Sequence, residues 1–292
     1  MTADWWHPDL HGLVVLQGDE LIFERYGEGE DYRLDEALGH VRFGPETPHD
    51  IRSVSKSVVG LLYGTALAEG AVPEPSASLM EQFPEYGDIS GKDALTIQHA
   101  LTMTLGLHWD ESVPYTSIAN SEIAMEMAPD RYRYILEQPL VQEPGTGWHY
   151  TGGASALVGR IIEKGTSLPL EEYADARLFR PLGISSWEWS RGADGVVLAA
   201  SGLRLAPREL AAIGRFAMEV PLEPMIKRED GGSYGMQWYV GDGWRGGFGN
   251  GGQRLIVFPA RKVVIAATAG LYNNDTATVD QLLWNTVIPA IT

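Results

Sequence analysis

The chain opens with two short apolar runs, continues through a polar stretch and then turns to a long apolar stretch. Residues 12–27 hold two runs rich in β-branched and aromatic residues around a turn at 18–20, which predicts a hairpin of two strands. Residues 28–50 are polar and predict a loop. Residues 53–69 are apolar nearly all round and end before Gly70, so they predict a buried helix with glycine just beyond its last turn.

This predicted helix contains two glycines, Gly60 and Gly64, four residues apart. Each glycine weakens a helix relative to alanine, so its presence indicates a compensating gain. The gain that we expect is the close approach of a neighbouring part of the chain to this side of the helix.

The middle of the chain is mostly helical in character, and strand character returns near its end. Helices are predicted over 97–104, 121–128, 131–137, 153–165, 170–178 and 207–219, the last beginning at Pro207 with Glu209 in its first turn. Strands are predicted over 234–240, 253–258 and 262–269, with a turn at 259–261 and a closing helix over about 276–290.

The order of strands, then helices, then strands and a helix predicts an α+β fold. An antiparallel sheet would be built from both chain ends and flanked by helices, with a mainly helical region inserted between them. The expected sheet region comprises 1–70 and 231–292, and the expected helical region comprises 71–230, within one folded unit.

Composition narrows the classes of function. The 292 residues are 44% hydrophobic, enough for a large core, and the net charge of −17 repels nucleic acid and anionic lipid, so neither is an expected partner. The absence of cysteine excludes disulfides and thiol catalysis. The N-terminus has no signal-peptide pattern, and no stretch approaches the roughly 18 apolar residues of a membrane span, so a cytoplasmic location is expected.

Ser53 and Lys56 are the first candidates for chemistry, because they lie three residues apart where the apolar helix begins. Residues at this spacing share one face of a helix. A neutral lysine amine there could take the serine proton and activate the hydroxyl as a nucleophile. Burial among apolar residues favours that neutral form. The alternative is that the spacing is accidental.

Tyr150 follows a turn rich in proline and glycine and precedes a predicted helix. A tyrosine at such an edge can carry a second proton if a nearby ammonium lowers its pKa. The alternative is that Trp148 and Tyr150 merely pack, which is common for aromatic side chains. His149, between them, is more typical of a structural or surface histidine.

Residues 246–253 contain five glycines and lead into a predicted strand. Such a run indicates that the backbone closely approaches something else, and its N–H groups could stabilise an oxyanion. The alternative is a flexible hairpin loop. A strand rather than a helix follows, so a phosphate loop is disfavoured. The histidines show no H-E-x-x-H spacing and no G-x-S-x-G motif is present, so no metal or other cofactor is expected.

Taken together, these motifs resemble the serine β-lactamase and penicillin-binding superfamily. Within it the chain is most similar to the class C β-lactamase-like branch, in the group of 6-aminohexanoate-dimer hydrolases and esterases. The matching segments are 51–57, 100–111, 143–150, 178–184, 234–238 and 249–253. The resemblance implies a β-lactamase/transpeptidase-like fold.

The resemblance also implies roles for particular residues. Ser53 would be the acylated nucleophile, Lys56 its base, and Tyr150, the tyrosine of the Y-x-N motif, the proton carrier for the leaving group. The N–H groups of Ser53 and Asn250 would form the oxyanion hole. Substrate contacts are expected from Gly249, Gly251, Trp109 and Trp238, although the two indoles are also typical of a core.

Two departures from the family pattern affect the expected substrate. Gly152 stands where Y-x-N has asparagine, and Gly247-Phe248-Gly249 stands where the family has K-T-G. The expected function is therefore a serine hydrolase that cleaves a small ester or amide rather than a true β-lactamase. The alternative is a non-catalytic ligand-binding or sensor protein on the same fold.

Overall fold

The computed structural model describes residues 6–223 and 225–291. The strands, in chain order, are β1 (Leu10–Gln17), β2 (Glu20–Tyr26), β3 (Glu28–Arg33), β4 (Glu36–Arg42), β5 (His49–Asp50), β6 (Glu188–Trp189), β7 (Leu203–Leu205), β8 (Met225–Lys227), β9 (Ser233–Gly235), β10 (Trp238–Gly241), β11 (Trp244–Gly249), β12 (Gln253–Phe258) and β13 (Val263–Ala269). The helices are α1 (Val54–Ala68), α2 (Ile97–Leu101), α3 (Ser121–Met127), α4 (Arg131–Glu137), α5 (Gly152–Thr166), α6 (Leu170–Ala174), α7 (Pro207–Ala217), α8 (Ala277–Leu282) and α9 (Ile288–Ala290).

An antiparallel sheet forms the centre of the fold, with strands in the order β2-β1-β13-β12-β11-β10-β9-β8. Strand β1 pairs with β13 from Leu10 opposite Ala269 to Gln17 opposite Val263, so the two chain ends lie side by side. The predicted hairpin is confirmed as β1 and β2. The predicted α+β fold, with its sheet built from both chain ends, is confirmed.

The prediction of a loop over 28–50 is wrong, because strands β3 and β4 form a two-stranded ribbon there. The ribbon is fastened to the rest of the chain by a buried ion pair in which Arg204 Nη2 lies 2.7 Å from Asp31 Oδ2. Its polar sequence lacks the apolar alternation by which strands are usually recognised, so the pattern did not predict it.

Two strand predictions near the chain end need correction. Residues 244–249, expected as part of a glycine-rich loop, form β11 and pair with β12. The single strand expected over 234–240 is divided into β9 and β10, because Met236 and Gln237 have positive φ angles of 48° and 64° and turn the chain. The side chain of Gln237 is buried in that turn and accepts a hydrogen bond from Ser155 Oγ.

The helices cover the two faces of the sheet. Helices α1 and α7 pack on one face, with α5 packed against α1, whereas α8 and α9 lie on the other. The predicted helices are present, and α7 begins at Pro207, with Glu209 Oε2 accepting from the Ala206 N–H at 2.9 Å. The predicted division of the chain at 70 and 230 stays a prediction, although α7 packs against β1, β12 and β13 rather than with the inserted helices.

Helix α1 is buried along most of its length and ends as predicted, with Gly70 just beyond it at φ +69°. Among the described residues, no helix combines the length and the apolar character needed to cross a bilayer. The first five residues, on which the expected absence of a signal peptide partly rests, lie outside the described part of the chain.

The two glycines of α1 are expected to respond very differently to alanine. A Cβ at Gly60 would lie 1.9 Å from the carbonyl oxygen of Met236, whereas a Cβ at Gly64 would meet nothing closer than 3.6 Å. Close approach is therefore confirmed at Gly60 and not at Gly64.

We expect Gly60→Ala to lower the free energy of unfolding by about 3 kcal/mol. Gly64→Ala should raise it by up to about 1 kcal/mol through helix propensity. Urea unfolding of both variants checks this, and equal effects would contradict it.

Candidate active site

Ser53 lies at the start of α1, immediately after a constrained turn. Arg52 has a positive φ of 49°, and its N–H donates to Asp50 Oδ1 at 3.1 Å while its guanidinium donates to the carbonyl oxygen of Leu34 at 2.6 Å. These bonds fix the residue before the serine. Ser53 is 9% exposed and opens onto a narrow cavity of about 60 Å³. The lining includes Arg52, Ser53, Tyr115, Glu122, Glu126 and Asn250.

Lys56 is buried one turn into α1 and contacts Ser53 as the spacing predicts. Its Nζ donates to Ser53 Oγ at 3.0 Å, to Glu122 Oε2 at 3.0 Å and to the carbonyl oxygen of Ala200 at 2.9 Å. An ammonium has three N–H donors and no acceptor, so the three partners satisfy it completely. Burial is as expected, but Glu122 adds a countercharge that the sequence argument did not include.

Glu122 is the residue of this site that sequence reasoning missed. It lies in the first turn of α3, where Asn120 caps the helix and accepts from the Glu122 N–H at 2.9 Å. The side chains of Glu122 and Lys56 are each only 2% exposed. Nothing in the sequence distinguishes Glu122 from the other acidic residues, because its partner lies 66 positions away.

Two further carboxylates flank Glu122. Burial, with the charge of Glu122 second, raises the pKa of Glu111 to about 7 and that of Glu126 to about 8. Glu111 accepts hydrogen bonds from the Gly152 N–H and from the indole of Trp109. Within the described part of the chain, no group of three or more acidic or histidine side chains is arranged to hold a metal ion.

The raised pKa of Glu126 predicts a pH-dependent loss of stability. The group binds its proton more tightly in the folded chain than at its ordinary value of 4.5. The contribution of the protonated group to the free energy of unfolding is therefore complete below about pH 4.5. It is lost as the pH rises through about 8. We expect Tm to fall between pH 5 and pH 8 in the parent and in Glu126→Gln. The fall in Glu126→Gln should be smaller than that in the parent by at least about 3 °C. Glu229→Gln, which changes an exposed carboxylate, is the control. Equal falls in all three proteins would contradict the prediction.

Tyr150 lies beside both residues of the serine–lysine pair. Lys56 Nζ is 5.0 Å from the centre of its ring, and the Ser53 side chain is near enough to act against the rise in the Tyr150 pKa. Burial, followed by the negative potential of Tyr239 and Glu111, raises the pKa of Tyr150 well above its ordinary value. The expectation that a nearby ammonium lowers this pKa is therefore wrong, and the phenol keeps its proton.

Trp148 packs among other aromatic side chains, as the alternative to a chemical role predicted. Its ring contacts those of Tyr150, Tyr234 and Tyr239, with centroids 5.7–6.2 Å apart. The guanidinium carbon of Arg228 lies 4.5 Å from the centre of the Trp148 ring. Trp148 thus packs beside Tyr150, whose ring lies next to Lys56 Nζ.

Asn250 lies in the turn between β11 and β12 and lines the same cavity as Ser53. Its side chain donates to Asn273 Oδ1 at 2.7 Å and accepts from the Asn273 N–H at 2.8 Å, which fixes the turn. Within 6–223 and 225–291, neither the Asn250 N–H nor the Ser53 N–H donates to a backbone carbonyl. Both donors therefore remain available to a ligand.

Gly249 and Gly251 hold this turn close to its neighbours and do not line the cavity. A Cβ at Gly249 would lie 2.5 Å from the carbonyl oxygen of Ile51, in the turn that carries Ser53. Gly251 has φ +89°, and a Cβ there would lie 2.7 Å from the ring of Tyr272. The close backbone approach expected of this glycine run is present, whereas substrate contact by these two residues stays a prediction.

The expected substrate contacts from Trp109 and Trp238 are wrong. Trp109 is 3% exposed and its indole donates to Glu111 Oε1 at 2.6 Å. Trp238 is completely buried, and its indole donates to the carbonyl oxygen of Ser57 at 3.0 Å. Both belong to the core, as the alternative held, because each indole N–H finds its partner inside the chain.

The site as described defines a class of protein. A serine and a lysine three residues apart at the start of a buried helix, packed against an antiparallel sheet, are typical of serine β-lactamases and penicillin-binding proteins. A family model described as Beta-lactamase matches residues 10–285. The chain belongs to the beta-lactamase family, and the superfamily resemblance predicted from its motifs is confirmed.

Known proteins share the fold at low sequence identity. A protein from Bacillus anthracis provisionally named a 6-aminohexanoate-dimer hydrolase superposes with a TM-score of 0.79 at 17% identity, over 97% of this chain and 79% of its own. A penicillin binding protein from Bacillus halodurans superposes with a TM-score of 0.73 at 16% identity, over 99% and 98% of the two chains.

A curated relative from Salmonella paratyphi B matches part of the chain by sequence. It is provisionally named a D-alanyl-D-alanine carboxypeptidase and is 25% identical over 193 residues, which are 62% of this chain and 43% of the relative. The chain thus spans less than half the length of the curated relatives that it matches.

Proposed function

We propose that this protein is a serine hydrolase that cleaves a small ester or amide through an acyl-enzyme on Ser53. The observation that carries the proposal is the contact of Lys56 Nζ with Ser53 Oγ at 3.0 Å beside a cavity that both Ser53 and Asn250 line. Tyr150 completes the group, since its ring centre lies 5.0 Å from Lys56 Nζ.

Acylation follows from these positions. Ser53 Oγ attacks the carbonyl carbon of the substrate as its proton passes to Lys56 Nζ. The negative charge that develops on the carbonyl oxygen is stabilised by the N–H groups of Ser53 and Asn250. Tyr150, whose phenol keeps its proton, donates it to the leaving group and recovers one from Lys56. Water then attacks the acyl group, and the same residues move protons in the reverse direction.

The geometry at β11 favours linear esters and amides over β-lactams. Gly247 stands where the family has a lysine, and a Cβ there would lie 2.7 Å from Ser57 Oγ and 3.1 Å from Val54 Cγ1. A long side chain cannot enter that space. The lysine with which the family holds a substrate carboxylate is therefore absent. At this position β11 packs against α1 instead.

A fluorophosphonate reagent tests the proposal, because it reacts with an activated serine without requiring the natural substrate. We expect one adduct per chain, mapped by mass spectrometry to the peptide that contains Ser53. The rival function, a non-catalytic binder or sensor, is motivated by Gly152 and Gly247, where the family's polar side chains are lost. The rival predicts no adduct at Ser53 even after long incubation at high reagent concentration.

A substrate panel then separates the classes within the proposal. p-Nitrophenyl esters, an aminohexanoate dimer and nitrocefin represent esters, linear amides and β-lactams. We expect turnover of the ester or the linear amide and poor turnover of nitrocefin. Nitrocefin turnover as fast as that of a dedicated β-lactamase would contradict the interpretation of the strand around Gly247.

A further inference from the structure

The ammonium of Lys56 has no vacant position for the serine proton. Each of its three N–H groups already faces an acceptor, on Ser53, Glu122 and Ala200. A base must have a free lone pair, so one proton has to leave Nζ before Ser53 can be activated. Of these three partners, Ser53 is the nucleophile and the Ala200 carbonyl is a very weak base, which leaves the carboxylate of Glu122.

We propose that Glu122 accepts this proton and so converts Lys56 into a base, an inference that rests on the proposed hydrolase function. Its Oε2 lies 3.0 Å from Nζ, and both side chains are 2% exposed, so bulk water does not compete for the proton. Because Glu122 acts through Lys56 and not on the substrate, it is a positioning and proton-holding residue.

Gly152 leaves space for the carboxylate of Glu122. A Cβ on Gly152 would lie 2.0 Å from Glu122 Oε2 and 3.1 Å from Glu111 Oε1. Gly152 begins α5 without a positive φ, so the backbone would accept another residue there. The space is what requires glycine, because Glu122 occupies the position of a side chain at 152.

The charges around Lys56 come from several elements and favour Glu122 as its partner. Helix α3 supplies Glu122 and Glu126, the segment before α3 supplies Glu111, the ring of Tyr150 lies 5.0 Å from the amine, and Tyr239 interacts with it electrostatically. Glu111 and Glu126 both have raised pKa values, of about 7 and about 8. Glu122 is the one of these three carboxylates that contacts Lys56 Nζ directly, at 3.0 Å.

The protons balance over one acylation. One proton moves from Lys56 Nζ to Glu122 Oε2, which leaves a neutral amine and a neutral carboxylic acid. The Ser53 hydroxyl proton moves to Nζ as Oγ bonds to the substrate carbon. Tyr150 protonates the leaving group and takes a proton from Nζ. The proton on Glu122 then returns to Nζ and restores the ion pair.

Glu122→Gln tests the proposal because the amide keeps the shape and can accept a hydrogen bond but cannot take the proton. At pH 7 we expect the rate of fluorophosphonate labelling of Ser53 to fall at least 100-fold. At pH 10 hydroxide can remove the lysine proton instead, so the gap to the parent should shrink to less than tenfold. Glu122→Asp, which keeps a carboxylate, should retain the pH profile of the parent.

The labelling rates of these variants distinguish failure of the Glu122 role from failure of the hydrolase function. A gap of the same size at pH 7 and pH 10, or labelling of Glu122→Gln at the parental rate, overturns the role of Glu122. If Glu122→Gln does not fold, the profile of Glu122→Asp decides: a parental profile supports the role, and a steep rise with pH overturns it. Failure of the parent protein to label at Ser53 sinks the hydrolase proposal itself and is therefore distinguishable.

A double-mutant cycle with Gly152→Ala tests the link between 152 and Glu122. In the parent the added methyl group should displace the carboxylate and slow labelling of Ser53 at least tenfold. In the Glu122→Gln background it should cause at most a twofold further loss, because the proton acceptor is already absent. Equal losses in both backgrounds would show that the two positions act independently and would overturn the link.

Discussion

Ser53→Ala is expected to lower kcat/KM for p-nitrophenyl ester hydrolysis by at least about 10³-fold. Alanine lacks the oxygen that attacks the carbonyl carbon, and no neighbouring hydroxyl can replace it at that position. The substitution also removes the acceptor of one Lys56 hydrogen bond, while Cβ and the start of α1 remain. The fold should therefore persist. Turnover is measured at equal concentrations of folded protein, as judged by thermal unfolding.

Ser57→Ala is the matched control for this prediction. Ser57 lies one turn further along α1, where its hydroxyl is buried and donates to the carbonyl oxygen of Gln237 at 2.9 Å. Its loss should lower the free energy of unfolding by about 1 kcal/mol and leave ester turnover within a few-fold of the parent. Parental turnover by Ser53→Ala would remove Ser53 from the mechanism.

Lys56→Met is expected to damage both activity and stability. Methionine keeps most of the length of the side chain but removes the amine, so ester hydrolysis should fall by at least about 10³-fold. The carboxylate of Glu122 is left buried without its partner, and breaking a buried ion pair from one side costs about 3–5 kcal/mol. Urea unfolding and ester kinetics measure the two losses on the same samples.

The double variant Lys56→Met/Glu122→Gln separates these two losses. Removing the charge at 122 as well should restore most of the free energy of unfolding, because no unpaired carboxylate remains in the core. Activity should stay as low as in Lys56→Met, since the base is still absent. A double variant as unstable as the single one would show that the pair is held by something other than charge.

Local patterns predicted the elements that carry the site. The apolar run over 53–69 gave α1 within one residue at each end, and the S-x-x-K spacing placed Ser53 and Lys56 in contact because three residues make nearly one helical turn. The turn before α5 likewise placed Tyr150 at a helix edge. These are contacts between near neighbours in sequence, and spacing alone fixes them once a helix forms.

The predictions that were wrong concern parts of the structure that depend on segments distant in sequence. The β3–β4 ribbon depends on an ion pair between Asp31 and Arg204, whose positions are 173 residues apart. Trp109 and Trp238 are buried because the inserted helices and the sheet close over them. Both outcomes depend on segments that are distant in sequence, so a local apolar pattern does not decide them.

By itself, the sequence determined the family, the main helices and the serine–lysine pair, because each of these is recorded in patterns along one stretch of chain. Only the tertiary structure decided which of the 39 acidic residues accompanies the lysine and why residue 152 is glycine. Loss of water and proximity of charge set the chemistry of a buried amine, and both depend on which distant segments the fold brings against it.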